Sequence, residues 1–161
     1  DNIFTNTDPD WYGSLNATFR YKDFDLFADL YLVQGVTRVN TILANGEFWK
    51  AEMNGPIIPY YTDENPSTVW PKPNANAAWL KHLNSFAAQD ASYLRLRTVT
   101  VGYNFNSMIN DLFNLKSGRI YFTGTNLFTM TDFLSYTPEQ DLRAGVFPET
   151  MNMTLGIKLN F

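Results

Sequence analysis

The feature that most constrains this chain is its final run, where Met151, Met153, Leu155, Ile157, Leu159 and Phe161 alternate with Asn152, Thr154, Gly156, Lys158 and Asn160. Side chains along a β-strand point to opposite faces with a period of two, so this run is a strand with one wholly apolar face. That face needs either a protein core or lipid. In a transmembrane barrel it meets lipid, and small or polar residues face the lumen.

Four upstream segments carry the same alternation. The first strand is expected from Tyr12 to Tyr21, with Leu15, Ala17, Phe19 and Tyr21 on one face and Ser14, Asn16, Thr18 and Arg20 on the other. Lys22-Asp23 makes a tight turn into a second strand, Phe24 to Val33. It sets Phe24, Leu26, Ala28, Leu30 and Leu32 opposite Asp25, Phe27, Asp29 and Tyr31. A third strand is expected from about Tyr93 to Phe105, and a fourth from Arg119 to about Phe128.

The connections have a pattern of their own. Lys22-Asp23 is short, Val33 to about Ser92 is very long, Asn106 to Gly118 is moderate and Thr129 to Glu149 is long. Short turns on one rim and long loops on the other are the habit of outer-membrane barrels. A long loop argues against a compact soluble domain. The long connection carries Pro56, Pro59, Pro66, Pro71 and Pro73, which oppose regular structure locally. The stripe of Trp79, Leu80, Leu83 and Phe86 predicts a short helix within Ala75 to Ala91, and a second is expected at Ser107 to Asn114.

Composition agrees with a membrane wall. Charged residues are 17% of the chain, against about 25% in soluble domains. Aromatic residues reach 16%. No basic run offers a nucleic-acid footprint. The absence of cysteine excludes disulfides and thiolate metal sites. No stretch is long and apolar enough for a membrane helix. The opening residues do not read as a signal peptide, so any export signal is expected upstream of Asp1.

No catalytic constellation emerges. His82 lacks partners at metal or acid–base spacing and reads as a solvated loop residue. Carboxylates fall in near pairs: Asp8 and Asp10, Asp25 and Asp29, Asp63 and Glu64, Glu139 and Asp141. Asp8 and Asp10 suit an oxygen-ligated calcium ion, but solvated or paired charges are the simpler account of all four pairs. There is no phosphate-binding glycine loop and no nucleophile elbow. No cofactor is expected, and the chain does not read as an enzyme. Trp49, Tyr60, Tyr61, Trp70 and Trp79 in the long connection are candidates for contact with a ligand or a covering partner. For any single ring, packing of the loop on itself is the plainer reading.

Six stretches taken in order resemble the C-terminal part of the SusC/RagA family of TonB-linked outer-membrane transporters. They are DWYGSLNATFRYKDFDL (Asp10 to Leu26), DENPSTVWPKP (Asp63 to Pro73), SYLRLRTVTVGYNF (Ser92 to Phe105), GRIYFTGTNLFTMTDF (Gly118 to Phe133), YTPEQD (Tyr136 to Asp141) and FPETMNMTLGIKLNF (Phe147 to Phe161). One departure is visible: the family often has Gly-Tyr-Asp-Pro-Glu where this chain has Ser135-Tyr136-Thr137-Pro138-Glu139, which is expected to alter a loop hydrogen bond.

The resemblance implies an all-β fold, the last five or so strands of a plugged barrel of roughly 22 strands. The plug and upstream strands would lie outside this chain. It implies long extracellular loops near 34–91 and 129–149 and a periplasmic C-terminus. The implied partners are the rest of the barrel and its plug, a SusD-like surface lipoprotein, TonB, outer-membrane lipid, and an oligosaccharide or, next, an oligopeptide ligand. Nucleic acid is not among them. Phe161, with Leu159 and Ile157, is implied as a barrel-assembly signal, and also anchors the last strand at the interface. The alternative reading is a soluble β-sandwich carbohydrate-binding module.

Overall fold

The computed structural model describes residues 6–50, 54, 57–139, 147 and 149–161. Its frame is one five-stranded antiparallel sheet. The long strands are β1 (Trp11–Tyr21), β2 (Phe24–Gln34), β5 (Tyr93–Asn104), β6 (Ser117–Thr131) and β7 (Asn152–Asn160), in the spatial order β1-β2-β5-β6-β7. Two short strands, β3 (Thr37–Val39) and β4 (Ala88–Asp90), pair separately. All five expected strands are present within a few residues of their predicted ends.

Register explains why alternation decides this fold. Phe19, Leu26, Val101, Phe122 and Leu155 form one cross-strand row, and Tyr21, Phe24, Tyr103, Ile120 and Ile157 form the next. Both rows lie on one face, so an apolar surface runs unbroken from β1 to β7. Among the described residues nothing covers it: Phe19, Phe24 and Leu155 stand 64%, 55% and 71% exposed. The opposite face is polar, with rows such as Arg20, Asp25, Gly102, Tyr121 and Gly156.

A bulge hides part of the pattern. Asp29 pairs with Thr98 and Leu30 with Leu96, so Arg97 is the extra residue on β5. On the other side, Asn126 and Leu127 of β6 lie between the pairs Thr98–Thr125 and Leu96–Phe128. Asn126 takes a left-handed φ of 53°, a conformation that asparagine tolerates better than most residues. The bulge shifts parity, so Leu94 and Leu96 join Val99 on the apolar face and Arg95 joins Thr98 on the polar one.

The core sits beside the sheet, in the long connection. Leu43, Trp49 and Ala87 are fully buried with Ile58 close behind, and Trp70, Trp79, Leu83 and Phe86 pack on them. The short helix expected within Ala75 to Ala91 is present as a 3-10 turn (Ala78–His82) and one turn of helix α2 (Leu83–Phe86), and strand β4 follows it. The helix ends there for a tertiary reason: residues 88–90 pair with β3, and Asn40 N donates to Ala87 O at 2.9 Å. A first short helix, α1 (Gly46–Trp49), is capped by Asn45, whose side chain accepts from Glu47 N. The other expected helix is present as α3 (Ser107–Leu112), with the Asn106 side chain accepting from Ile109 N. A second cluster joins Val33, Val36, Ala91, Tyr93 and Phe133, fastening the loop module to the polar face.

Candidate functional site

The polar face carries two charged clusters. Near the Lys22-Asp23 turn, the Arg119 guanidinium on β6 pairs with Asp25 on β2 at 2.5 Å. The strand between them, β5, presents Gly102 at that point, where a Cβ would overlap both side chains. Asn104 Nδ2 adds a bond to Asp25 Oδ1 at 3.0 Å.

The second cluster lies at the far end, where β2, β5 and β6 enter the long connections. Arg95 is 4% exposed. Its Nη1 donates to Glu139 Oε2 at 2.8 Å and also to Glu149, and its Nε donates to Thr129 Oγ1 at 2.9 Å. Tyr93 OH donates to Glu139. Thr137, buried under Arg95, accepts from Glu139 N at 3.3 Å and from Arg95 Nη2 at 3.5 Å. Thr137 therefore supplies an acceptor beneath this arginine. Burial pushes the Glu139 carboxyl up, but bonds from Glu149, Tyr93 and Arg95 together hold it below the usual range. Its bond to Glu139, then burial, raise the Glu149 carboxyl against the pull of Arg95.

Aromatic side chains link this cluster to the loops. The Arg97 guanidinium lies 3.5 Å from the centroid of the Tyr31 ring. Tyr31 and Tyr93 are 6.0 Å apart, and Arg95 sits 5.1 Å over Tyr93. A pocket of about 240 Å³ opens here between Tyr31, Arg38, Tyr93 and Glu139. The periodicity of 93–105 was legible in the sequence, but this cluster was not. Its signal was two arginines, Arg95 and Arg97, in a strand with no other charge.

The loop aromatics divide. Trp49 is 0% exposed, and its Nε1 donates to Leu43 O at 2.6 Å. Trp70, Trp79 and Phe86 pack around it with centroids 6.4, 5.2 and 5.2 Å away. Trp49 is thus enclosed in the loop's own core. Trp70 and Trp79 are half-buried against it. Tyr60 and Tyr61 remain open, 41% and 38% exposed. Nearby, a groove of about 790 Å³ separates the two long connections, lined by Ile57, Phe133, Leu134 and Tyr136 among others.

The remaining candidates are dispersed. His82 ends the 3-10 turn and faces a shallow surface pocket with Lys81. Asp10 packs against Gly35 and accepts from Asn6 Nδ2 at 3.4 Å. Among the described residues no group of three or more His, Cys, Asp or Glu side chains converges on one point. Asp141 lies outside the described residues. At the C-terminal strand, Ile157, Leu159 and Phe161 are exposed on the apolar face, and Lys116 Nζ donates to Phe161 O at 2.7 Å.

No family model matches the chain. It is similar to TonB-dependent receptor P26 of Formosa agariphila, 27% identical over 168 residues, covering 95% of this chain and 17% of the relative. TonB-dependent receptor P3 of the same organism is 26% identical, over 99% of this chain and 17% of the relative. TonB-dependent receptor SusC of Bacteroides thetaiotaomicron is 28% identical over 83 residues, 50% of this chain and 8% of its own length. The chain therefore spans about a sixth, or less, of these relatives. In fold it is similar to the RagAB peptide importer in its closed-closed state, with a TM-score of 0.73, 24% identity, and coverage of 99% of this chain and 18% of that one. The open-open state gives a TM-score of 0.70 at 23% identity, with the same coverage. The relatives are receptors and not enzymes, and the open five-stranded sheet matches a piece of a barrel wall. In sequence the chain is thus similar to a segment of TonB-dependent receptors, SusC among them, and in fold it is similar to a piece of the RagAB importer's barrel wall.

Proposed function

We propose that this segment forms part of the wall and the extracellular loops of an importer that carries bulky nutrients across the outer membrane, driven by TonB. The observation that carries the reading is the apolar face continuous across all five strands, uncovered among the described residues, with charge confined to the other side. Unsatisfied backbone is costly in lipid, so only a closed barrel lets strands span it. The free edges of β1 and β7 would pair with the remaining strands. The soluble sandwich alternative needs a second sheet over the apolar face, and the β3–β4 ladder instead packs through Val36 toward the polar one.

In this reading the connections at 34–91 and 129–149 are extracellular and the C-terminus is periplasmic. The groove between the loops, with exposed Ile57 and Tyr136, and the exposed Tyr60 and Tyr61 would meet a SusD-like lipoprotein or the ligand. Trp70 and Trp79 would support that surface from beneath. An oligosaccharide is the first expectation for the cargo and an oligopeptide the second. Ile157, Leu159 and Phe161 would present the assembly signal. Protease added to intact cells should cut the full-length receptor within 57–77 and leave 106–116 whole. Cleavage confined to 106–116 would overturn the topology. Loss of cargo uptake on deleting TonB tests the transport step.

A further inference from the structure

We propose that Arg38, on the lining of the 240 Å³ pocket, and Arg97, stacked on the Tyr31 ring that also lines it, form a subsite for a carboxylate carried by the imported ligand. The inference rests on the importer reading and names the chemistry of its cargo.

Arg38 lines the pocket, and its Nε is shut away from water with no hydrogen-bond partner among the described residues. A buried N–H of this kind is costly unless something accepts from it. Arg97 reaches Tyr31, whose ring lines that pocket, from the β5 bulge, a device that re-aims a side chain. Stacking on Tyr31 occupies one flat face of its guanidinium. The in-plane N–H fork, whose geometry suits a carboxylate, stays available. Arg97 has no carboxylate partner among the described residues, whereas Arg95 and Arg119 are each ion-paired. The acid that faces the pocket, Glu139, is already engaged by Tyr93 and Arg95, and Glu149 is also held by Arg95. The two guanidinia are therefore left to an incoming anion. Tyr31 and Tyr93 add flat rings for the body of the ligand.

A carboxylate can come from a uronate sugar or from a peptide C-terminus, and two matched probe pairs separate them. One pair is a tetragalacturonate and its methyl ester. The other is pentaalanine with a free or an amidated C-terminus. Binding is measured on the detergent-purified full-length receptor with its own lipoprotein. The expected result is a preference of tenfold or more for the acid form in one pair, which identifies the source. Arg38→Gln or Arg97→Gln should remove that preference and leave the neutral probe unchanged. Arg97→Lys should keep part of it, and Lys72→Gln, on the loop surface, all of it. Retained heat-modifiable migration shows that each variant still forms its barrel. Equal binding of acid and neutral forms in both pairs, no binding of any probe, or a preference that survives both glutamine variants overturns the subsite. TonB-dependent uptake of cargo in cells, measured in parallel, would stand or fall with the importer reading separately.

Discussion

Arg119 on β6 reaches Asp25 on β2 across the bare backbone of Gly102, so one ion pair ties three strands together. Its side chains are 36% and 19% exposed, and water weakens such pairs to about 1 kcal/mol or less. Arg119→Gln should therefore cost no more than about 1 kcal/mol. Gly102→Leu must displace both partners, and overpacking of this kind costs about 1–3 kcal/mol. In the double variant the two losses should add to less than their sum, since the pair can be lost only once. Urea unfolding of the intact receptor measures all three.

Trp49 is the centre of the loop module. Replacing it with alanine removes a fully buried ring and the bond to Leu43 O. Truncations of this size cost about 3–5 kcal/mol. Because the module stands apart from the five-stranded sheet, the loss should be local. Protease sensitivity should rise sharply within 57–86, while the barrel keeps its heat-modifiable migration.

Asn40 joins the two long connections. Its Nδ2 donates to Gln89 Oε1 at 3.1 Å and Leu134 O at 2.6 Å, and its Oδ1 accepts from Ile42 N and Leu43 N at 3.1 and 3.2 Å. Asn40→Leu is close in volume yet strands these partners in a buried site, at about 1–3 kcal/mol for each group left unsatisfied. Hydrogen exchange should quicken at 40–43 and 133–135. Asn40→Asp, which keeps the acceptor but loses the donor, should release 133–135 more than 42–43.

Glu139 and Glu149 share Arg95 and predict a pH window. Glu139 is held below its ordinary value, so its contribution exists above that value and is lost as pH falls through the lowered one. Glu149 is raised, so its contribution is present at low pH and is lost as pH rises through the raised value. Docking of the 132–139 connection should be tightest between the two. Hydrogen exchange of that segment, corrected for the intrinsic rate, should pass through a minimum there. Glu149→Gln should abolish the rise on the alkaline side and leave the acidic side in place.

Alternation in the sequence determined five strands and the apolar face of most of each, because the strand period of two admits one burial pattern at a time. The short helix at 107–114 and the Lys22-Asp23 turn were equally legible, since both act through residues a few positions apart. Two features needed the tertiary structure. The stripe at Trp79, Leu80, Leu83 and Phe86 has helical spacing, yet pairing of β4 with β3, about fifty residues apart, limited the helix to one turn. The Arg95 cluster and the pocket lined by Tyr31, Arg38, Tyr93 and Glu139 join β2, β3 and β5 to the 132–149 connection. The bulge at Arg97 reverses parity there, so local alternation misassigns the faces of 93–96. Only the neighbouring strands decide where a bulge falls, and with it which arginines face inward.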